Sequence, residues 1–285
     1  DWVKYGLNPI GTGPFKVDRV VPRERLELSR FDGYWDKTRV PKLDKVILFP
    51  MPEAATRTAA LLAGEVHMAA LPQDLEAQAE RAGMKTFAGK VPGFRSFAKF
   101  YCCHNKEKKN PDSGWIHPES PLAHAKVRKA LTKAINMDQI NKVFFGGKGE
   151  VMYNTHFHPT RAGWDPSWVT RYKDEYGYDP EAAKKLLAEA GYGSGKAMET
   201  NILLPSDATG YSGADDIMEA VGGMWRAVGV TVNLVQMDPA RQTQLSQAHE
   251  LYNHVILGGT GSDTWTGLTT YGSAVGTGIG TGIEL

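Results

Sequence analysis

Ile202-Leu203-Leu204, Val230-Thr231-Val232-Asn233-Leu234-Val235 and His254-Val255-Ile256-Leu257 are three short aliphatic runs, and what lies between them decides the fold. Ala214 to Val228 and Pro239 to Ala248 fill the gaps with segments that read as helices. Strands alternating with helices of this length predict βαβ units with parallel pairing. The C-terminal part of the chain is therefore expected to be an α/β lobe.

Upstream, Asp179-Pro180 supplies a cap and a first-turn proline, and Ala183, Leu186, Leu187 and Ala190 form an apolar stripe that stops before Gly191. Ser120-Pro121 predicts a similar start for a helix whose buried face is Leu122, Val127, Ala130, Leu131, Ala134 and Ile135. Asp138 is expected to cap a short helix through Phe145, ended by Gly146 and Gly147. Lys106 to Glu119, with Pro111, Gly114 and Pro118, has the composition of an exposed loop. Before it, the aromatic-rich Val91 to Asn105 reads as a strand leaving a first lobe. In that lobe, Phe15, Val17, Val20, Leu26 and Leu28 fall between turn formers, Leu43 to Phe49 predicts another strand, and Ala55 to Ala63 has helical spacing up to Gly64. A further short helix is expected over Asp74 to Arg81.

Composition narrows the function. The 285 residues are 41% hydrophobic and 23% charged, ordinary for a globular protein of about two domains. A formal net charge of +1 gives no field favouring nucleic acid. No apolar run approaches the ~18 residues of a spanning helix, and the N-terminus shows no basic-then-apolar leader, which by itself does not argue for the cytoplasm. The two cysteines, Cys102 and Cys103, are adjacent, a spacing that disfavours an internal disulfide and reads as two small buried residues in a strand.

Motifs for chemistry are absent or incomplete. Gly191 to Lys196 lacks the earlier glycine and the hydroxyl residue of a phosphate loop, and it follows a helix rather than a strand. Gly276 to Gly282 is glycine-rich but reads as a frayed end. His156 and His158 flank Phe157, yet neither has helical ligand spacing to another histidine, so they read as loop side chains rather than a metal site. No nucleophile elbow or zinc-protease motif occurs. No catalytic residue, metal or cofactor is expected. The loop Thr155 to Trp168 stands out, because Trp164 and Trp168 beside Arg161 are costly to expose and suit a cleft wall as well as packing on their own lobe.

Four segments in order carry a resemblance: Asn8-Pro-Ile-Gly-Thr-Gly-Pro-Phe-Lys-Val17 closing at Phe31-Asp-Gly-Tyr-Trp35, Ala55 to Val66, Lys126 to Asn136, and Tyr178 to Tyr192. This order resembles the extracytoplasmic solute-binding proteins of ABC importers, in the peptide and nickel branch. The resemblance implies a two-lobed, type II periplasmic-binding-protein-like α/β fold. Residues 1–96 would be part of lobe I and 97–285 lobe II, with the hinge crossing near 97–101. It also implies more chain before Asp1 and a return to the first lobe after Leu285, so that lobe I is incomplete here. The implied function is capture of a small-molecule or oligopeptide solute by a monomer outside the cytoplasmic membrane, in the periplasm or on the cell surface, and delivery to the importer's membrane permease.

The same resemblance implies a ligand set of Asp263, Ser262, Thr260, Tyr211 and Trp164. Peptide binders of the family hold the ligand amino group with an aspartate in a Gly-Trp-x-x-Asp segment. The matching stretch is Gly258 to Asp263, where gapless alignment puts Ser262 on the aspartate and Asp263 one residue late. Dipeptide binders add an arginine after the Leu204-Pro205 turn, whereas Ser206 to Tyr211 contains none. A longer peptide held through its backbone, or a sugar-like or opine-like solute, fits these departures better than a free dipeptide. Nickel or haem carriage and a sensory role remain open within the fold, and a hydrolase using His156 and His158 is the reading from another class.

Overall fold

Phe100 and Tyr101 are neighbours in sequence but pack into different cores. They lie on β4 (Arg95–Tyr101), in the sheet that organises the larger of two compact units, Asp1–Leu71 and Pro72–Leu285. The computed structural model describes residues 2–7, 9–87, 95–102, 115–153, 157–160, 163–193, 195–204, 213–260 and 282–284.

In the first unit, α1 (Trp2–Leu7) precedes an antiparallel meander of β1 (Phe15–Val21), β2 (Arg25–Arg30) and β3 (Lys45–Leu48). Arg23 takes φ 63° in the β1–β2 turn. Glu27 is bonded to Arg25 at 2.7 Å and to Lys45 of the adjacent strand at 2.8 Å. Then α2 (Ala54–Leu62) ends where Gly64 adopts φ +74°, the left-handed conformation expected of a glycine just past a helix. Arg57 on α2 bonds the carbonyls of Met51 at 2.7 Å and Ala70 at 2.8 Å, tying together the segments on either side of the helix.

The second unit begins with α3 (Gln73–Arg81) and is built on a five-stranded sheet of order β6-β5-β7-β4-β8. Here β5 is Met198–Leu204, β6 Val230–Gln236, β7 His254–Thr260 and β8 Gly282–Glu284. β5 runs parallel to both β6 and β7, while β4 is antiparallel to β7 and β8. The α/β expectation is met by the crossovers α8 (Ala214–Ala227) and α9 (Pro239–Gln247). Side chains alternate across the sheet with a period of two. Phe100, Ile202, Val255 and Leu257 join a core with α8, whereas Tyr101, Leu203 and Ile256 join Leu251 and Leu245 on the opposite face. Trp225 of α8 is fully buried, lies over Phe100 with ring centroids 6.2 Å apart, and donates Nε1–H to the Leu131 carbonyl at 2.9 Å.

That carbonyl belongs to α4 (Ala125–Lys133), and the structure shifts its start from the expected one. Ser120-Pro121 opens a single 3₁₀ turn, Pro121–Ala123, and the extended backbone of His124 breaks it from α4. Arg128 Nη1 donates to the freed carbonyls of Leu122 and Ala123 at 2.8 and 3.0 Å, which replaces the continuing helical bonds. The cap of α5 (Met137–Phe145) is likewise Asn136 rather than Asp138, since Asn136 Oδ1 accepts the Gln139 N–H at 2.9 Å. α7 (Pro180–Glu189) starts as expected, with Asp179 accepting from the Ala182 N–H. Between α5 and α7 lies α6 (Ser167–Tyr176), which the reading of a loop through Trp168 did not anticipate.

Two further expectations change. Cys102 is buried and disulfide-bonded, not a reduced apolar filler; the other cysteine, Cys103, lies outside the described residues. Gly282–Glu284 does not fray but pairs with β4, Ala98 standing opposite Ile283. The rest of the glycine-rich run lies outside the described residues.

Candidate functional site

A continuous train of aromatic rings runs over the second unit beside α6. Trp164 stands between Tyr153, at a centroid distance of 6.4 Å, and Trp168, at 5.4 Å and 84°. Trp168 meets Phe157 edge-on at 5.4 Å. From Tyr153 the train continues to Tyr172 at 5.7 Å and Tyr176 at 5.8 Å, where Lys129 Nζ sits 5.4 Å above the ring. Edge-to-face and tilted contacts of this kind add roughly 0.5–1.5 kcal/mol per pair beyond burial. α6 exists because this train gives it an apolar face, and because Asp165 Oδ1 accepts the Ser167 N–H at 2.9 Å at its start. That backbone hydrogen bond holds the Asp165 carboxyl below the usual carboxylate range.

His158 anchors the loop that carries these rings. Its side chain is buried, with Nε2 3.0 Å from Glu150 Oε2. Nδ1 accepts the Thr160 N–H at 3.2 Å and lies 2.7 Å from the Thr160 hydroxyl. Accepting at Nδ1 puts the ring proton on Nε2, where it donates to Glu150. Among the described residues no three His, Cys, Asp or Glu side chains converge as metal ligands. His156 lies outside the described residues.

Below the rings a cavity of about 520 Å³ opens between the start of α5, the 151–153 segment and the end of α6. Ile135, Met137 and Val151 give it an apolar lining, Tyr153, Tyr172 and Tyr178 aromatic walls.

Of the residues singled out from sequence, Trp164 is half-buried in the aromatic train. Thr260 ends β7, with its backbone opposite Arg95 at the start of β4. Tyr211, Ser262 and Asp263 lie outside the described residues. The cavity residues were not singled out, because Ile135 to Lys142 and Tyr172 to Tyr178 are brought together only by tertiary packing and share no local motif.

The family model described as "Bacterial extracellular solute-binding proteins, family 5 Middle" matches residues 1–281. The chain belongs to this family. Among its relatives, the dipeptide-binding protein of Escherichia coli K12 is 29% identical over 260 residues, covering 91% of this chain and 44% of that protein. The binding protein DppA of Helicobacter pylori, solved with the peptide STSA, superposes with a TM-score of 0.61 at 25% identity, over 90% of this chain and 44% of that one. MoaA of A. tumefaciens R10, solved with mannopinic acid, superposes with a TM-score of 0.69 at 21% identity, over 97% of this chain and 51% of that one, and so speaks for the fold alone. The fold is that of type II periplasmic binding proteins, and the chain spans about half the length of the relatives it matches. Among the described residues no helix is long and apolar enough to cross a membrane.

Proposed function

We propose that this chain forms part of the solute-binding component of an ABC-type importer, which captures a peptide or peptide-like solute between two lobes and hands it to a membrane permease. The match to the family of extracellular solute-binding proteins over residues 1–281 carries this reading. In it, residues 1–96 are part of lobe I, 97–285 are lobe II, and the chain crosses near 97–101. The protein acts as a monomer on the outer side of the cytoplasmic membrane and catalyses no reaction. Bound solute stabilises the closed arrangement by its greater affinity for it, and the permease reads that state.

The sheet topology supports a site built around Thr260, Ser262, Asp263 and Tyr211. β5 and β7 are adjacent and parallel, and they end at Leu204 and Thr260. In open α/β sheets ligands bind beyond the carboxyl ends of parallel strands. The segments that lead to Tyr211 and to Ser262-Asp263 both leave from that edge, and β4 enters the sheet there through Arg95. Asp263 is assigned to the ligand ammonium, Ser262 and Thr260 to backbone groups, Tyr211 and Trp164 to apolar side chains.

Calorimetric titration with a tetrapeptide, comparing wild type with Asp263→Asn and Tyr211→Ala, tests the assignment. The reading predicts binding weakened at least about tenfold in each variant, the scale of a lost charge-assisted contact. Unchanged affinity in both removes these residues from the site.

A further inference from the structure

We propose that the cavity between α5 and α6 is a second, separate binding site, for a small aromatic monocarboxylate. The site is distinct from the solute site proposed above: none of the cavity's lining residues is among those assigned to the solute, and among the described residues only Tyr153 touches one of them, Trp164.

Size comes first. At about 520 Å³ the cavity falls within the roughly 300–1,000 Å³ typical of small-molecule sites and is too small for a folded partner. Its walls select the ring. Tyr153, Tyr172 and Tyr178 present three aromatic side chains over an aliphatic lining, and Tyr178 remains 53% exposed. A planar ring inserted among them gains offset and edge-to-face contacts that an aliphatic chain does not.

Charge selects the second group. The lining holds three charged side chains, Lys142, Lys173 and Asp138, for a net charge of +1. Neither lysine forms an ion pair among the described residues, whereas Lys126, Lys148 and Lys184 of the second unit pair with Glu189, Glu76 and Glu181. One carboxylate balances the lining. A phosphate, carrying up to two charges, would overshoot and face Asp138 in the first turn of α5. A metal cation would find a single carboxylate and two ammonium groups. A ring bearing a short carboxylate arm satisfies both the walls and the charges.

The test uses the complete protein and 3-(4-hydroxyphenyl)propionate, followed by calorimetry and saturation-transfer NMR. Saturable binding is expected, weakened at least about tenfold for the uncharged amide of the same probe and for Lys142→Gln/Lys173→Gln. Both lysines are exposed, so the double variant folds. Tyr178→Ala, also at an exposed position, should weaken the probe through loss of one wall. Octanoate binding as tightly as the aromatic probe would overturn the aromatic preference. Undiminished binding to the lysine variant, displacement by a peptide solute, or no saturable binding at millimolar probe would each overturn the site.

Discussion

His158 Nε2 stands 3.0 Å from Glu150 Oε2, and the two partners are unequally placed: the histidine side chain is 8% exposed, the glutamate 63%. The buried partner therefore carries the structural role. Replacing His158 by Leu removes its hydrogen bonds to Thr160 and Glu150, at a cost of roughly 1 kcal/mol for each bond lost. Glu150→Ala removes only an exposed partner and should cost under about 1 kcal/mol. Chemical denaturation of both variants measures the asymmetry. Tryptophan emission should shift in His158→Leu, because the loop it anchors leads into Trp164. Equal costs for the two changes would contradict this division of roles.

Trp225 joins α8 to α4 through its bond to the Leu131 carbonyl and its contact with Phe100. Trp225→Ala should cost about 3–5 kcal/mol as a buried aromatic truncation. Trp225→Phe keeps most of the ring but orphans the carbonyl, for about 1–3 kcal/mol. Equilibrium unfolding should rank them in that order.

Gly177 ends α6 at an ordinary φ of −53°, so its need for glycine is steric. A Cβ there would drive into the Lys173 carbonyl oxygen, which is fixed backbone. Gly177→Ala should destabilise by about 1–3 kcal/mol. It should also distort the cavity that Gly177 helps to line. A stability unchanged from wild type would show that the helix end moves freely.

Acid should loosen the first unit through Glu27. Hydrogen bonds from Lys45 and then Arg25 lower its pKa to about 2, from the ordinary carboxyl value of 4.5. A carboxyl whose folded value is depressed stabilises the fold fully above its unfolded value, and that contribution is lost as pH falls towards the folded one. The window is therefore about pH 4.5 down to about pH 2. Glu27→Gln should flatten the pH dependence of stability in that range and leave it unchanged above pH 6. An identical acid profile for both proteins would contradict the assignment.

The helix starts show what was legible in the chain. Asp179-Pro180 and the Pro239 start were readable because a short polar side chain before a proline caps a helix with little help from elsewhere, and the structure shows Asp179 and Asp238 each accepting backbone N–H bonds. Asp165-Pro166 carries the same signal and Asp165 accepts the Ser167 N–H at the start of α6, but the flanking tryptophans give that segment the composition of an aromatic loop and mask the cap. At Ser120-Pro121 the local signal was real yet overruled, because Arg128 bonds the two carbonyls and lets the chain turn before α4. The site was less legible than the fold. Trp164 could be singled out as a costly aromatic in a loop, whereas the cavity depends on Tyr153, Tyr172 and Tyr178 meeting across three segments, which no local spacing encodes.

The central claim is capture of a peptide solute, and thermal unfolding of the complete protein against peptides of three to five residues tests it most directly. A peptide at 100 times its dissociation constant should add about 2.7 kcal/mol and raise the melting temperature by several degrees. That shift, with none from free sugars, is the predicted result. No shift with any peptide, or a shift with oligosaccharides alone, would contradict it.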